Sequence, residues 1–153
     1  MSADRPEFPN YTQKVADAML SPGDLIEQGL MGFLGIRHAE FGPGTMIAEV
    51  DVRDELLTPF GTLHGGVISA LADHVLGSVM YPVMGRGQWA ATTEFKLNLL
   101  RPIREGVLRA SAEIISMSKR MAVIRIDITN PTPDGRERLA GAAQGTVSIQ
   151  NPK

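Results

Sequence analysis

The sequence predicts an α+β domain in which an antiparallel sheet of five to six strands wraps around one central helix. Three observations predict it. Several segments alternate apolar and polar residues with the period of a half-buried strand. Short Gly- and Pro-bearing turns separate most of them, which requires antiparallel pairing. A single long apolar segment, 64–81, has helical rather than alternating spacing, and no other long helix is available to cover the sheet.

In chain order, residues 11–28 read as a helix with Val15, Ala18 and Met19 on its apolar stripe, broken or reset by Pro22-Gly23. The pattern changes at Leu30, and Phe33-Leu34-Gly35-Ile36 leads into a Gly42-Pro43-Gly44 turn. Residues 45–52 then alternate, with Met46, Ala48, Val50 and Val52 on one face, so these two segments form a hairpin. Residues 54–62 are a loop carrying Pro59 and Gly61, and the helix from His64 closes at Pro82 and Gly85-Arg86-Gly87. Residues 92–99 place Thr93, Phe95, Leu97 and Leu99 opposite Glu94, Lys96 and Asn98. Residues 107–116, 122–129 and 139–149 complete the strands, with Pro133-Asp134-Gly135 turning the last hairpin. The division is thus a helical segment over 1–29 and a sheet-and-helix domain over 30–150.

With 153 residues, 43% hydrophobic and 21% charged, the chain can bury a core without metal or disulfide. It has no cysteine, which removes thiolate zinc sites and cysteine nucleophiles. A net charge of −2 gives no polyanion-binding surface, so no nucleic-acid partner is expected. The N-terminus lacks a basic-then-apolar leader. The apolar run 67–84 is interrupted by Ser69, Asp73, His74, Ser78 and Pro82, which suits a buried helix better than a membrane span. A cytoplasmic protein is expected, with no membrane partner and no cofactor.

On the central helix, Ile68, Leu71, Ala72, Val75 and Val79 form one stripe that should face the sheet. Asp73 falls more than a quarter turn away, beside Ala70, Gly77 and Met80. A second subunit could cover that side. The helix opens with His64-Gly65-Gly66; its first amides have no intrahelical partner and sit at the positive end of the macrodipole, a ready place to stabilise an oxyanion. Each residue alone has a simpler reading: a surface carboxylate, a plain helix-start histidine, a packing glycine.

Together, Gly61-Thr62-Leu63-His64-Gly65-Gly66 followed by Leu71-Ala72-Asp73 resembles the signature of hotdog-fold acyl-CoA thioesterases, in the branch associated with phenylacetic acid degradation. Thr92-Thr93-Glu94-Phe95 and Asn98-Leu99-Leu100-Arg101-Pro102 look like a second stretch of the same family. The resemblance covers roughly 32–149. It implies an acyl-CoA substrate and a homodimer or dimer of dimers, with each site shared between subunits. It also implies roles: the Gly65 N–H polarises the thioester carbonyl, Asp73 activates water or attacks directly, His64 orients the thioester or a water, and Thr92 helps hold the water. Relatives often carry Asn or Gln where this chain has Thr58, which keeps a hydroxyl at the water or carbonyl. Gly66 joins the binding set. Arg101 and the turn Ser118-Lys119-Arg120 are candidates for the phosphates of coenzyme A. Phe60, Met80, Met84 and Trp89 are candidates for the acyl pocket.

Serine-hydrolase chemistry fails for want of a G-x-S-x-G elbow. A metal hydrolase fails because His38, His64 and His74 have no ligand spacing. Two alternatives share the fold, a hydratase acting on enoyl thioesters and a non-catalytic acyl-CoA-binding protein.

Overall fold

A computed structural model describes residues 5–21 and 28–152. Its six strands form one sheet with the order β1-β2-β4-β5-β6-β3, and every neighbouring pair is antiparallel. The strands are β1 (Arg37–Gly42), β2 (Thr45–Asp51), β3 (Trp89–Leu99), β4 (Val107–Met117), β5 (Met121–Pro131) and β6 (Glu137–Gln150). The helix α3 (Gly65–Ser78) lies on the inner face and touches β2, β3, β4, β5 and β6. This is the hotdog architecture the sequence predicts.

The alternation that defines the strands is the burial that holds them. Met46, Ala48 and Val50 of β2, Leu108, Ala110, Ala112 and Ile114 of β4, and Ile124, Ile126 and Ile128 of β5 are all buried, as is the expected stripe of α3 from Ile68 to Val79. β6 is rich in small residues for a reason of space. A Cβ on Gly145 would stand 2.6 Å from the Phe95 Cβ, 2.8 Å from the Glu94 carbonyl and 3.0 Å from Leu76 of α3.

Three local expectations are corrected. The expected helix over 11–28 is observed as α1 (Gln13–Leu20), ending at Ser21, and the part of it at 22–27, with Pro22-Gly23, lies outside the described residues. The strand pattern expected from Leu30 begins later, because α2 (Gly29–Leu34) is a short helix closed by Gly35 at φ 71°. β3 does not pair with β4, its successor in sequence; it pairs with β6 at the far edge.

β3 also carries a bulge. Thr92 pairs with Val147 and Glu94 with Thr146, which leaves Thr93 as the extra residue. Paired residues share a face, and Val147 is fully buried, so Thr92 points to the helix side. The alternation alone puts Thr93 there; an extra residue shifts the phase of everything before it.

Two histidines 36 positions apart meet on this framework. His38 Nδ1 lies 2.7 Å from the Met19 carbonyl of α1, and His38 Nε2 lies 2.8 Å from His74 Nε2 of α3. A carbonyl only accepts, so His38 Nδ1 carries a hydrogen, its Nε2 accepts, and His74 Nε2 donates. Ser78 Oγ is 3.3 Å from the same His74 nitrogen. The dyad ties α1, β1 and α3 together through neutral imidazoles. Burial pushes His74 down to about 4, with His38 beside it adding to the fall and Asp73 opposing it. Burial lowers His38 as well, against the raising effect of the Met19 carbonyl.

Two outcomes follow from this packing. Gly145→Ala is expected to destabilise the fold by about 1–3 kcal/mol in denaturant titration, because both close neighbours are near the backbone and cannot swing away. The dyad makes stability pH-dependent. The unfolded chain binds more protons than the folded one between about 4 and 6.5. The His74 contribution is therefore complete above 6.5 and lost as pH falls toward 4, on the order of 3 kcal/mol, and His38 adds in the same direction. Melting curves across that range should fall steeply for the wild type and more gently for the His38→Phe, His74→Leu double variant.

Candidate active site

The start of α3 is built by three restraints. Leu63 N donates to the Ile103 carbonyl at 2.7 Å, and His64 N donates to the Leu56 carbonyl at 2.9 Å, which fixes the chain as it enters the helix. His64 is the N-cap: its Nδ1 accepts from Gly66 N at 2.9 Å. That bond sets the tautomer, with Nδ1 bare and Nε2–H directed away from the helix start. A Cβ on Gly66 would stand 3.0 Å from His64 Nδ1, so a larger residue there would press on the cap.

The cap divides the first-turn amides. Gly66 N–H is taken by His64, and Val67 N–H by the His64 carbonyl at 2.9 Å. Among the described residues Gly65 N–H has no acceptor. It opens on a cleft of about 350 Å³ whose walls include Ile68, Leu99, Leu100, Thr58 and Arg101. An unpaired amide at the positive end of a helix, against apolar walls, can hold a developing oxyanion.

Thr58 reaches this cleft, but its hydroxyl is engaged. It accepts from Phe60 N at 3.3 Å and lies 3.1 Å from the Thr62 hydroxyl, bracing the turn that Gly61 completes at φ 70°. Arg101 also lines the cleft, with Nη1 donating to the Leu139 carbonyl at 2.6 Å. Phe60 stands on the loop tip, 86% exposed.

Asp73 lies two turns further along α3, about 12 Å from Gly65 along the axis. It is exposed and bonds to no described side chain. One chain therefore presents the unpaired amide and the free carboxylate on the same rod, too far apart to act on one carbonyl. Thr92 faces the helix side of the edge strand, roughly 23 Å along β3 from Leu99.

The remaining candidates scatter. Ser118, Lys119 and Arg120 form the turn between β4 and β5, at the opposite end of the sheet from Gly65, and Ser118 Oγ is spent on that turn. Met80 is fully buried and Met84 nearly so, both in the core beside α3, so neither offers the chain's own surface to an acyl group. Trp89 is half-exposed at the far end of β3. Among the cleft walls that sequence reasoning missed are Thr62, Leu63, Ile68, Leu99, Leu100 and Ile103; the signal was there in Leu99 and Leu100, an apolar pair at the end of an alternating strand, which the structure leaves 56% and 50% exposed.

The chain resembles known proteins along most of its length. The family profile described as thioesterase superfamily matches residues 60–135. A 1,4-dihydroxy-2-naphthoyl-CoA hydrolase of Escherichia coli is 32% identical over 124 residues, covering 80% of this chain and 88% of that one. A putative esterase of Haemophilus influenzae is 32% identical over 127 residues, 83% and 89% of the two chains. Among solved structures, a thioesterase of Haemophilus influenzae superposes with a TM-score of 0.76 at 27% identity over 95% of this chain and 94% of its own. A thioesterase family protein of Silicibacter pomeroyi gives 0.79 at 26% identity, over 93% and 99%.

His64→Ala is expected to cost about 1 kcal/mol of stability by removing the cap, measured by chemical denaturation.

Proposed function

The chain belongs to the thioesterase superfamily, and from that premise we propose that it hydrolyses an acyl-CoA thioester to a free acid and CoA. The observation that carries this reading is the unpaired Gly65 N–H at the head of α3, opening on an apolar-walled cleft.

In the proposed reaction the thioester carbonyl lies against Gly65. Asp73 of the partner subunit takes a proton from a water, and the oxygen attacks the carbonyl carbon. The carbonyl π electrons move onto oxygen, where the Gly65 N–H and the dipole of α3 stabilise the charge. Collapse of the tetrahedral intermediate re-forms the carbonyl and breaks the C–S bond. The thiolate leaves as CoA and takes up a proton.

A homodimer is part of the proposal. It is supported by the separation of Gly65 and Asp73 along one helix and by the exposure of Asp73. Thr92 of the partner subunit, turned inward by the bulge, is assigned the holding of the water beside the partner's Asp73, and His64 the orientation of Gly65 through its cap. Thr58 serves the cleft by bracing the turn before the helix, since its hydroxyl already has two partners. Any contact of Ser118, Lys119 or Arg120 with the substrate would come from a partner subunit.

Asp73→Asn keeps the shape and removes the base. Thiol release from a panel of aromatic and medium-chain acyl-CoAs should fall at least about a hundredfold in kcat, with KM little changed. Undiminished turnover in this variant would end the assignment. Hydration of an enoyl-CoA without thiol release would point to a hydratase, and binding with no release to an acyl-CoA-binding protein.

A further inference from the structure

The cleft beside Gly65 has a definite chemical character. Leu63, Ile68, Ile103, Leu99, Leu100 and Pro102 make most of its lining, and all are apolar. Leu63, Ile68 and Ile103 belong to the buried core, while Leu99 and Leu100 stand half-exposed where β3 ends. Leu99 reaches the helix start itself: a Cβ on Gly65 would stand 3.0 Å from Leu99 Cδ1. Any group that runs into the cleft from a carbonyl held at the Gly65 N–H therefore meets Leu99 first.

Polar groups in the lining are few. Among the described residues no carboxylate and no side-chain amide lines the cleft. The Thr58 and Thr62 hydroxyls lie 3.1 Å apart, and Thr58 Oγ also accepts from Phe60 N, which leaves that pair one free hydroxyl hydrogen. Arg101 is the one charged residue of the lining, and its Nη1 is turned to the Leu139 carbonyl.

Two arms leave a thioester carbonyl. The pantetheine arm carries two amides and a hydroxyl, and each loses its water at a cost unless the protein replaces it. A hydrocarbon acyl arm needs no partner and gains from every methylene buried. The lining therefore matches the acyl arm. It matches a plain chain better than a ring bearing several hydroxyls, because such a ring brings donors and the side chains offer as acceptors only two threonine oxygens already bonded to each other. Size agrees. A hydrocarbon-lined cavity of about 150 Å³ holds benzene, so a cleft of about 350 Å³ that is open on one side takes a chain of roughly six to ten carbons.

We propose that this cleft is the acyl site, that the chain acts on saturated medium-chain aliphatic thioesters in preference to hydroxylated aromatic ones, and that Leu99 and Leu100 set that preference. This rests on the reading of the chain as an acyl-CoA hydrolase.

The test follows thiol release from straight-chain acyl-CoAs running from butanoyl to dodecanoyl, with dihydroxybenzoyl-CoA alongside. Calorimetric titration of S-alkyl-CoA thioethers, which cannot be hydrolysed, follows affinity over the same lengths. For the wild type kcat/KM should rise about two- to fourfold per added methylene and level off near eight to ten carbons. Dihydroxybenzoyl-CoA should lie at least about tenfold below octanoyl-CoA. Leu99→Ala and Leu100→Ala truncate half-exposed side chains, and each should flatten the rise. Leu99→Phe keeps the wall apolar but narrows the cleft, so it should move the plateau to shorter chains. Ile115→Ala, on β4 and outside the cleft, should give the wild-type profile. The proposal falls if kcat/KM is independent of chain length, if dihydroxybenzoyl-CoA is the better substrate, or if the rise survives in both leucine-to-alanine variants. No thiol release from any substrate, with thioether affinity still rising with length, would sink the hydrolase reading and keep the acyl site. Release without length dependence would sink the acyl site and keep the hydrolase. Neither release nor a rise in affinity would end both.

Discussion

Everything in this molecule depends on one rod covering one curved face. α3 is the only long helix among the described residues, and it has to fill the inner side of a six-stranded sheet. It does so because β6 withdraws: the bare backbone of Gly145 lets Leu76 approach, while the branched residues of the adjoining β5 are buried on the same face. The helix is therefore held by close contact along its length, and its first turn is fixed where Leu63 and His64 bond to Ile103 and Leu56. A rigid helix start is a condition for directed chemistry, since a dipole stabilises a charge only when it already points at it.

The N-cap connects stability to reactivity. A helix start with all its amides satisfied would be sturdier and inert. Here His64 satisfies Gly66 and leaves Gly65 open. The same economy applies to Thr58, whose hydroxyl bonds the turn that aims the helix. Residues at the mouth of the cleft are thus mostly scaffolding for one backbone group. Side-chain identity there can vary while the geometry of the amide is kept.

Much of this was legible in the sequence. The strand faces of β2, β4 and β5 and the stripe of α3 follow directly from periodicity, because one-sided burial leaves a period-two or a 3.6-residue trace. His64-Gly65-Gly66 was legible as a helix start for the same local reasons. What was not legible is what depends on partners distant in the chain. The His38–His74 dyad needs β1 laid beside α3, and no spacing rule announces that. The burial of Met80 and Met84 depends on where the chain turns after Ser78. Leu30 and Phe33 looked like the approach to a strand, but Gly35 closes them into a helical turn.

The extra residue in β3 has a consequence for how that edge tolerates change. Thr93 faces no partner on β6, while the residues on either side of it pair with consecutive positions there. Excising Thr93 alone would join Thr92 to Glu94 with both still opposite Val147 and Thr146, straightening the strand without turning any side chain over. Loss of a residue away from the bulge at 92–94 would invert part of the row. The edge thus has a single length polymorphism that its geometry can absorb.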